Sequence, residues 1–131
     1  MSRTNAEHQQ QIEVVVSGPD GANRLFILTG IAPVFLQASN NVPQRDTFTF
    51  LVGPTLTRRQ FIRATATASI VRFNFFGTGP GSTNGNIDFV ETDWDDESGQ
   101  AEVRVEVVVL ANTFTVELTG LGYQATVLAE L

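Results

Sequence analysis

The segment Asp93 to Gly99, DWDDESG, gathers the side chains of this sequence best suited to chemistry. Asp93, Asp95 and Glu97 recur at alternate positions in a turn-forming stretch, which is how oxygen ligands are offered to Ca²⁺, a hard cation that needs several oxygens at once. The spacing departs from an EF-hand loop: counting from Asp93, the glycine position is Ser98 and the closing glutamate position is Arg104. A solvated hairpin tip whose charges deter edge pairing is the simpler reading of the same residues. As the acid and base of a glycosidase these carboxylates are poorly placed, because catalytic pairs flank a substrate from separate strands. Within the same segment, Trp94 is the only tryptophan. Its apolar face and polar edge would suit stacking on a sugar ring, or anchoring the end of a sheet.

Few other groups remain for chemistry. All eight basic residues counted under Lys+Arg are arginine, there is no cysteine, and His8 is the only histidine. Cysteine nucleophiles, Schiff-base and P-loop lysines, and thiolate or paired-histidine metal sites are thereby excluded within one chain. The net charge of −6 repels a nucleic-acid duplex or an anionic membrane. No apolar run is long enough to insert into a bilayer as a helix, and the polar start, MSRTNAEHQQQ, has no signal-peptide core. Synthesis in the cytoplasm is expected, and use outside the cell or on a particle is compatible with it.

Charge is unevenly spread. From Thr47 through Ile87 there is no Asp or Glu, yet Arg58, Arg59, Arg63 and Arg72 all fall there. From Asp88 to Glu106 the acids crowd together with Arg104 as the only base. These opposite segments either neutralise one another within a subunit or join one copy to the next. The parities of Arg63 and Arg72 differ, so they form no simple basic stripe for nucleic acid.

The elements that must position these residues are strands. Apolar residues alternate at period two almost throughout, as in half-buried sheet. Residues 1–11 read as a flexible polar arm and 12–131 as one domain. Strands are expected up to the GPDG turn at Gly18, on either side of a break near Gly30 and Pro33, and over Thr47–Val52. A long strand follows across Gln60–Phe76, where the polar parity switches near Val71 and implies a bulge or a change of sheet. Gly77–Asn86 reads as an exposed loop, Asp96–Gly99 as a hairpin turn, and Gly120–Gly122 as a further turn. About eight or nine such strands make an all-β antiparallel β-sandwich, jelly-roll-like or immunoglobulin-like.

These features together lead to a non-catalytic structural or self-assembling subunit of coat, sheath, fibre or scaffold type, whose partner is itself. The competing expectation is a carbohydrate-binding module that uses Trp94 and the glycine-rich loop, assisted by Ca²⁺ at Asp93, Asp95 and Glu97. In the first case Arg58, Arg59, Arg63 and Arg72 would belong to the interface.

Overall fold

In the computed structural model, which describes residues 2–19, 21–77 and 79–131, the chain folds into two four-stranded sheets packed face to face. Met1, Asp20 and Thr78, which belong to the arm, the GPDG turn and the glycine-rich loop of the sequence reading, lie outside the described residues. The strands are β1 (Ser2–Arg3), β2 (Glu7–Gly18), β3 (Gly21–Ala38), β4 (Gln44–Val52), β5 (Phe61–Phe76), β6 (Ser82–Trp94), β7 (Ala101–Asn112) and β8 (Thr115–Glu130). One sheet runs β1-β4-β7-β6 and the other β2-β3-β8-β5. All pairs are antiparallel except the short β1–β4 pair. The all-β sandwich expected from the alternation is therefore the architecture found.

The core is the alternation made solid. Val103, Val105, Val107 and Val109 of β7 are fully buried and meet Phe26, Leu28, Leu121, Ala125 and Val127 of the opposite sheet, with Phe48 and Phe50 from β4 filling the space between. β7 and β8 are central, each paired on both sides. That central position explains where the strands outrun the sequence reading. Gly120 and Gly122 make no turn, because β8 is held by β3 on one side and β5 on the other, and this pairing outweighs glycine's preference for loops. β3 likewise passes through Gly30 and Pro33 without ending; the irregularity is taken up as a register shift between Pro33 and Leu36, beyond the last β2–β3 pair at Glu7–Ile31.

Bulges set which residues face inward. In β5 the half-buried positions are Phe61, then, past a first register shift, Ala64, Ala66, Ala68 and Ile70, then Phe73, with further register shifts around Arg72. A bulge thus accounts for the parity switch read from the sequence. In β6 the shift falls between Ile87 and Phe89, moving the inner face from Gly85 and Ile87 to Val90, Thr92 and Trp94. Asn84-Gly85, read as part of a loop, lies inside β6 opposite Leu110 and Val109. Gly85 is required there by close packing, since a Cβ would sit 2.8 Å from Ile70 Cδ1 and 2.9 Å from Phe73 Cζ.

The N-terminal segment is the other departure. Instead of forming a free arm, residues 2–3 pair with Phe48 and Thr49 of β4, and residues 7–11 extend β2. The Thr4 hydroxyl donates to the Pro33 carbonyl, and the Thr4 N–H donates to the Thr49 carbonyl at 2.9 Å. Tyr123, the sole tyrosine, reaches from the core to donate to Gln9 Oε1 at 2.9 Å. Its path crosses Gly30, where a Cβ would lie 2.6 Å from the phenol oxygen. Burial pushes the Tyr123 phenol up to about 12. An unfolded tyrosine ionises near 10, so this preference for the neutral form stabilises the fold below about pH 10 and is lost as pH rises through about 12. A phenolate absorbance titration is expected to show a midpoint well above that of free tyrosine; a midpoint near 10 would contradict the buried position of the ring.

Candidate interaction surface

The acidic turn is built for itself. Asp95 Oδ2 accepts from the Ser98 N–H at 3.0 Å and the Ser98 hydroxyl at 2.6 Å, and these bonds, with Arg3 nearby, hold its carboxyl below the usual aspartate value. The Asp95 carbonyl accepts from the Gly99 N–H at 2.8 Å, and Gly99 adopts a left-handed φ of 72°. Asp93 points to the outer face opposite Glu102, while Glu97 is exposed at the tip. Among the described residues, no three His, Cys, Asp or Glu side chains gather as a metal-binding group.

Trp94 ties this turn to the loop after β4. Its indole N–H donates to the Leu56 carbonyl at 3.1 Å, and the Leu56 N–H donates to the Gly99 carbonyl at 2.7 Å. The Arg58 guanidinium lies over the indole, 5.7 Å from the ring centroid. One ring face and the polar edge are thus already engaged within the chain. The glycine-rich loop is at the other end of β6 from Trp94, about 40 Å away at the rise of an extended strand. The two parts of the expected sugar site are not brought together.

The charged segments also sort differently from their order in sequence. Asp88 and Glu106 both pair with Arg45, Glu102 pairs with Arg3, and Glu91 accepts from Arg104 at 3.1 Å. These ion pairs knit the outer face of the β1-β4-β7-β6 sheet. Arg58, Arg59, Arg63 and Arg72 make no ion pair with a carboxylate among the described residues, and all four are exposed. Arg72 packs over Gly120, its Nε 2.5 Å from where a Cβ would stand.

The opposite outer face is of another kind. Residues paired in register share a face, so the outer surface of the β2-β3-β8-β5 sheet is traced by the rows Val14–Leu25–Leu128–Arg63, Ile12–Ile27–Thr126–Thr65 and Gln10–Thr29–Gln124–Thr67. Apart from Arg63 these rows carry no charge. Thr65 and Thr126 share a hydroxyl–hydroxyl bond of 2.6 Å. Where Gly122 offers no side chain, a shallow trough of about 400 Å³ opens between Ile31, Ser69 and Val71.

This sheet ends in an uncovered edge. Every residue of β2 is exposed, including Ile12 at 61%, Val14 at 41%, Val15 at 58% and Val16 at 42%. Among the described residues, the opposite sheet offers only the two residues of β1 at the corresponding edge. Because N–H and C=O groups alternate in direction along a strand, every second residue of β2 turns its own to the free side. From sequence the arginines and the acidic turn stand out as candidate contacts, and this segment is expected as a strand but not as a contact. A partial signal lies in Ile12-Glu13-Val14-Val15-Val16, where Val15 adds an apolar residue to the parity that Glu13 occupies, beyond what a strand with one solvated face needs. No helix among the described residues is long and apolar enough to cross a membrane. Compared with protein-family models, with curated proteins and with solved structures, the chain shows no match.

Proposed function

We infer that this chain is a non-catalytic structural subunit that self-associates, of the coat, sheath, fibre or scaffold type. The observation that carries the reading is β2, a twelve-residue edge strand exposed along its whole length, with Ile12, Val14, Val15 and Val16 forming an apolar stretch within it. Natural sheets normally blunt such edges with lysine, proline, bulges or a covering element, because an open edge pairs with another chain. From Gln10 to Gly18 this edge has no lysine, no proline and no bulge, and its single charge is Glu13, on the inner parity opposite Phe26. The sparsely charged sheet face beside it, whose traced rows carry only Arg63, extends the surface available for contact, while the ion-paired face of the other sheet keeps that side solvated.

The internal pairing of Arg3, Arg45 and Arg104 changes the expected character of the contact. Association through opposite charges would weaken as salt screens it; association through backbone pairing and apolar contact at an edge persists. Sedimentation velocity over a range of concentrations is expected to show growth beyond the monomer, little reduced at high salt. Electron microscopy is expected to show the ordered assembly. A strict monomer at every concentration and salt level would overturn the reading.

A further inference from the structure

We propose that the assembly contact is an antiparallel pairing of β2 with β2 of a second copy, with the two-fold axis at Val14. This rests on the self-association inferred above and specifies its geometry. The regular part of the β2–β3 ladder runs from Gln10 to Gly18, with the register shift lying between Glu7 and Gln10. Val14 is its midpoint, with four residues on each side. A two-fold through Val14 therefore uses the whole regular edge of both copies and extends the four-stranded sheet to eight strands.

The side chains select this register over its neighbours. Only shifts that keep residues of like parity opposite one another preserve the faces of the sheet. Centred on Val14, the pairing sets Ile12 against Val16 twice and Val14 against Val14 on the outer face, and Glu13 against Val15 on the inner face. Centred on Glu13, it would oppose two carboxylates, which is destabilising. Centred on Val15, it would set Ile12 against Gly18 and lose an apolar partner. Nine residues paired from each copy form about eight to ten backbone hydrogen bonds, close to the roughly ten of a typical specific interface. A contact in which the same patch serves both copies closes as a dimer, and the sparsely charged outer face of the joined sheets is left for higher assembly.

The native chain has no cysteine, so single substitutions report the register directly. Across an antiparallel pair, directly opposed Cα atoms are about 4.5–5.5 Å apart, within disulfide range. Val14→Cys alone is expected to form a disulfide-linked dimer under mild oxidation. In the proposed pair the two copies of residue 12 are about 13–14 Å apart along the strand, as are the two copies of residue 16. Ile12→Cys alone and Val16→Cys alone should therefore give about a tenth of that yield or less, and an equal mixture of the two should cross-link. Each variant, reduced, is checked for wild-type sedimentation. Failure of Val14→Cys to cross-link, or equal cross-linking by Ile12→Cys alone, in protein that still self-associates would overturn the β2 pairing and leave the structural-subunit reading standing. Wild-type protein that stays monomeric would overturn both.

Discussion

Phe50→Ala is expected to lower the free energy of unfolding by about 3–5 kcal/mol, the cost of losing a fully buried aromatic side chain and leaving a cavity behind. Phe50 is 0% exposed in β4, and its ring stands 4.8 Å from that of Tyr123 in the facing sheet. It therefore belongs to the layer that joins the two sheets. Neither sheet can collapse into the space without breaking its own ladder, because β4 is paired with β7 and β8 with β3 and β5. A urea or guanidinium melt would show the loss as a lower midpoint with little change in slope. Phe50→Leu, which keeps most of the volume, should cost much less. Phe35→Ala, at a residue 57% exposed, should stay within about 0.5 kcal/mol. Similar losses for Phe35→Ala and Phe50→Ala would mean that Phe50 does not sit between the sheets.

Gly99→Ala is expected to cost about 2–3 kcal/mol, from two causes that can be separated. The first is the left-handed backbone, about 1–2 kcal/mol for a residue with a Cβ. The second is space: the added Cβ would stand 2.9 Å from Thr55 Cγ2 and 3.0 Å from the Leu56 carbonyl oxygen. That carbonyl also accepts the Trp94 indole N–H, so the backbone cannot withdraw without disturbing the tryptophan. Gly21 isolates the first cause, since its φ is 112° but nothing lies within 4 Å of a Cβ there. Thermal melts of Gly99→Ala and Gly21→Ala should therefore both fall below wild type, with the larger drop for Gly99→Ala. The single tryptophan should also change its fluorescence in Gly99→Ala and not in Gly21→Ala. Equal melting shifts and unchanged fluorescence would show that the β6–β7 turn and the loop after β4 are not coupled through Leu56.

That coupling is an example of what the sequence conceals. Gly99 was legible as the left-handed residue of a hairpin turn from its place after Asp-Asp-Glu-Ser, because turn chemistry is local. Its contact with Thr55 and Leu56, more than forty positions earlier, follows from how β4 and β6 flank β7. Asp95 shows the same division. Spacing alone offers its carboxyl as a candidate Ca²⁺ ligand, whereas its bonds to Ser98 depend on how the turn closes.

Composition and period decided the class of this protein. Alternating apolar residues demand a sheet with one buried face, and two such faces must cover each other, so a sandwich follows without knowledge of strand order. The absence of lysine and cysteine and the single histidine likewise limited its chemistry before any coordinate. Strand order was beyond the sequence, because pairing partners such as Phe26 and Val127 lie about a hundred positions apart and many registers satisfy the same alternation. Order in turn decided everything about the surface. It set Arg45 beside Asp88 and Glu106, left Arg58, Arg59, Arg63 and Arg72 without carboxylate partners among the described residues, and placed β2 at an edge. Whether an apolar stretch is core or contact depends on whether a neighbour covers it, and for Ile12, Val14, Val15 and Val16 only the tertiary structure shows that none does among the described residues.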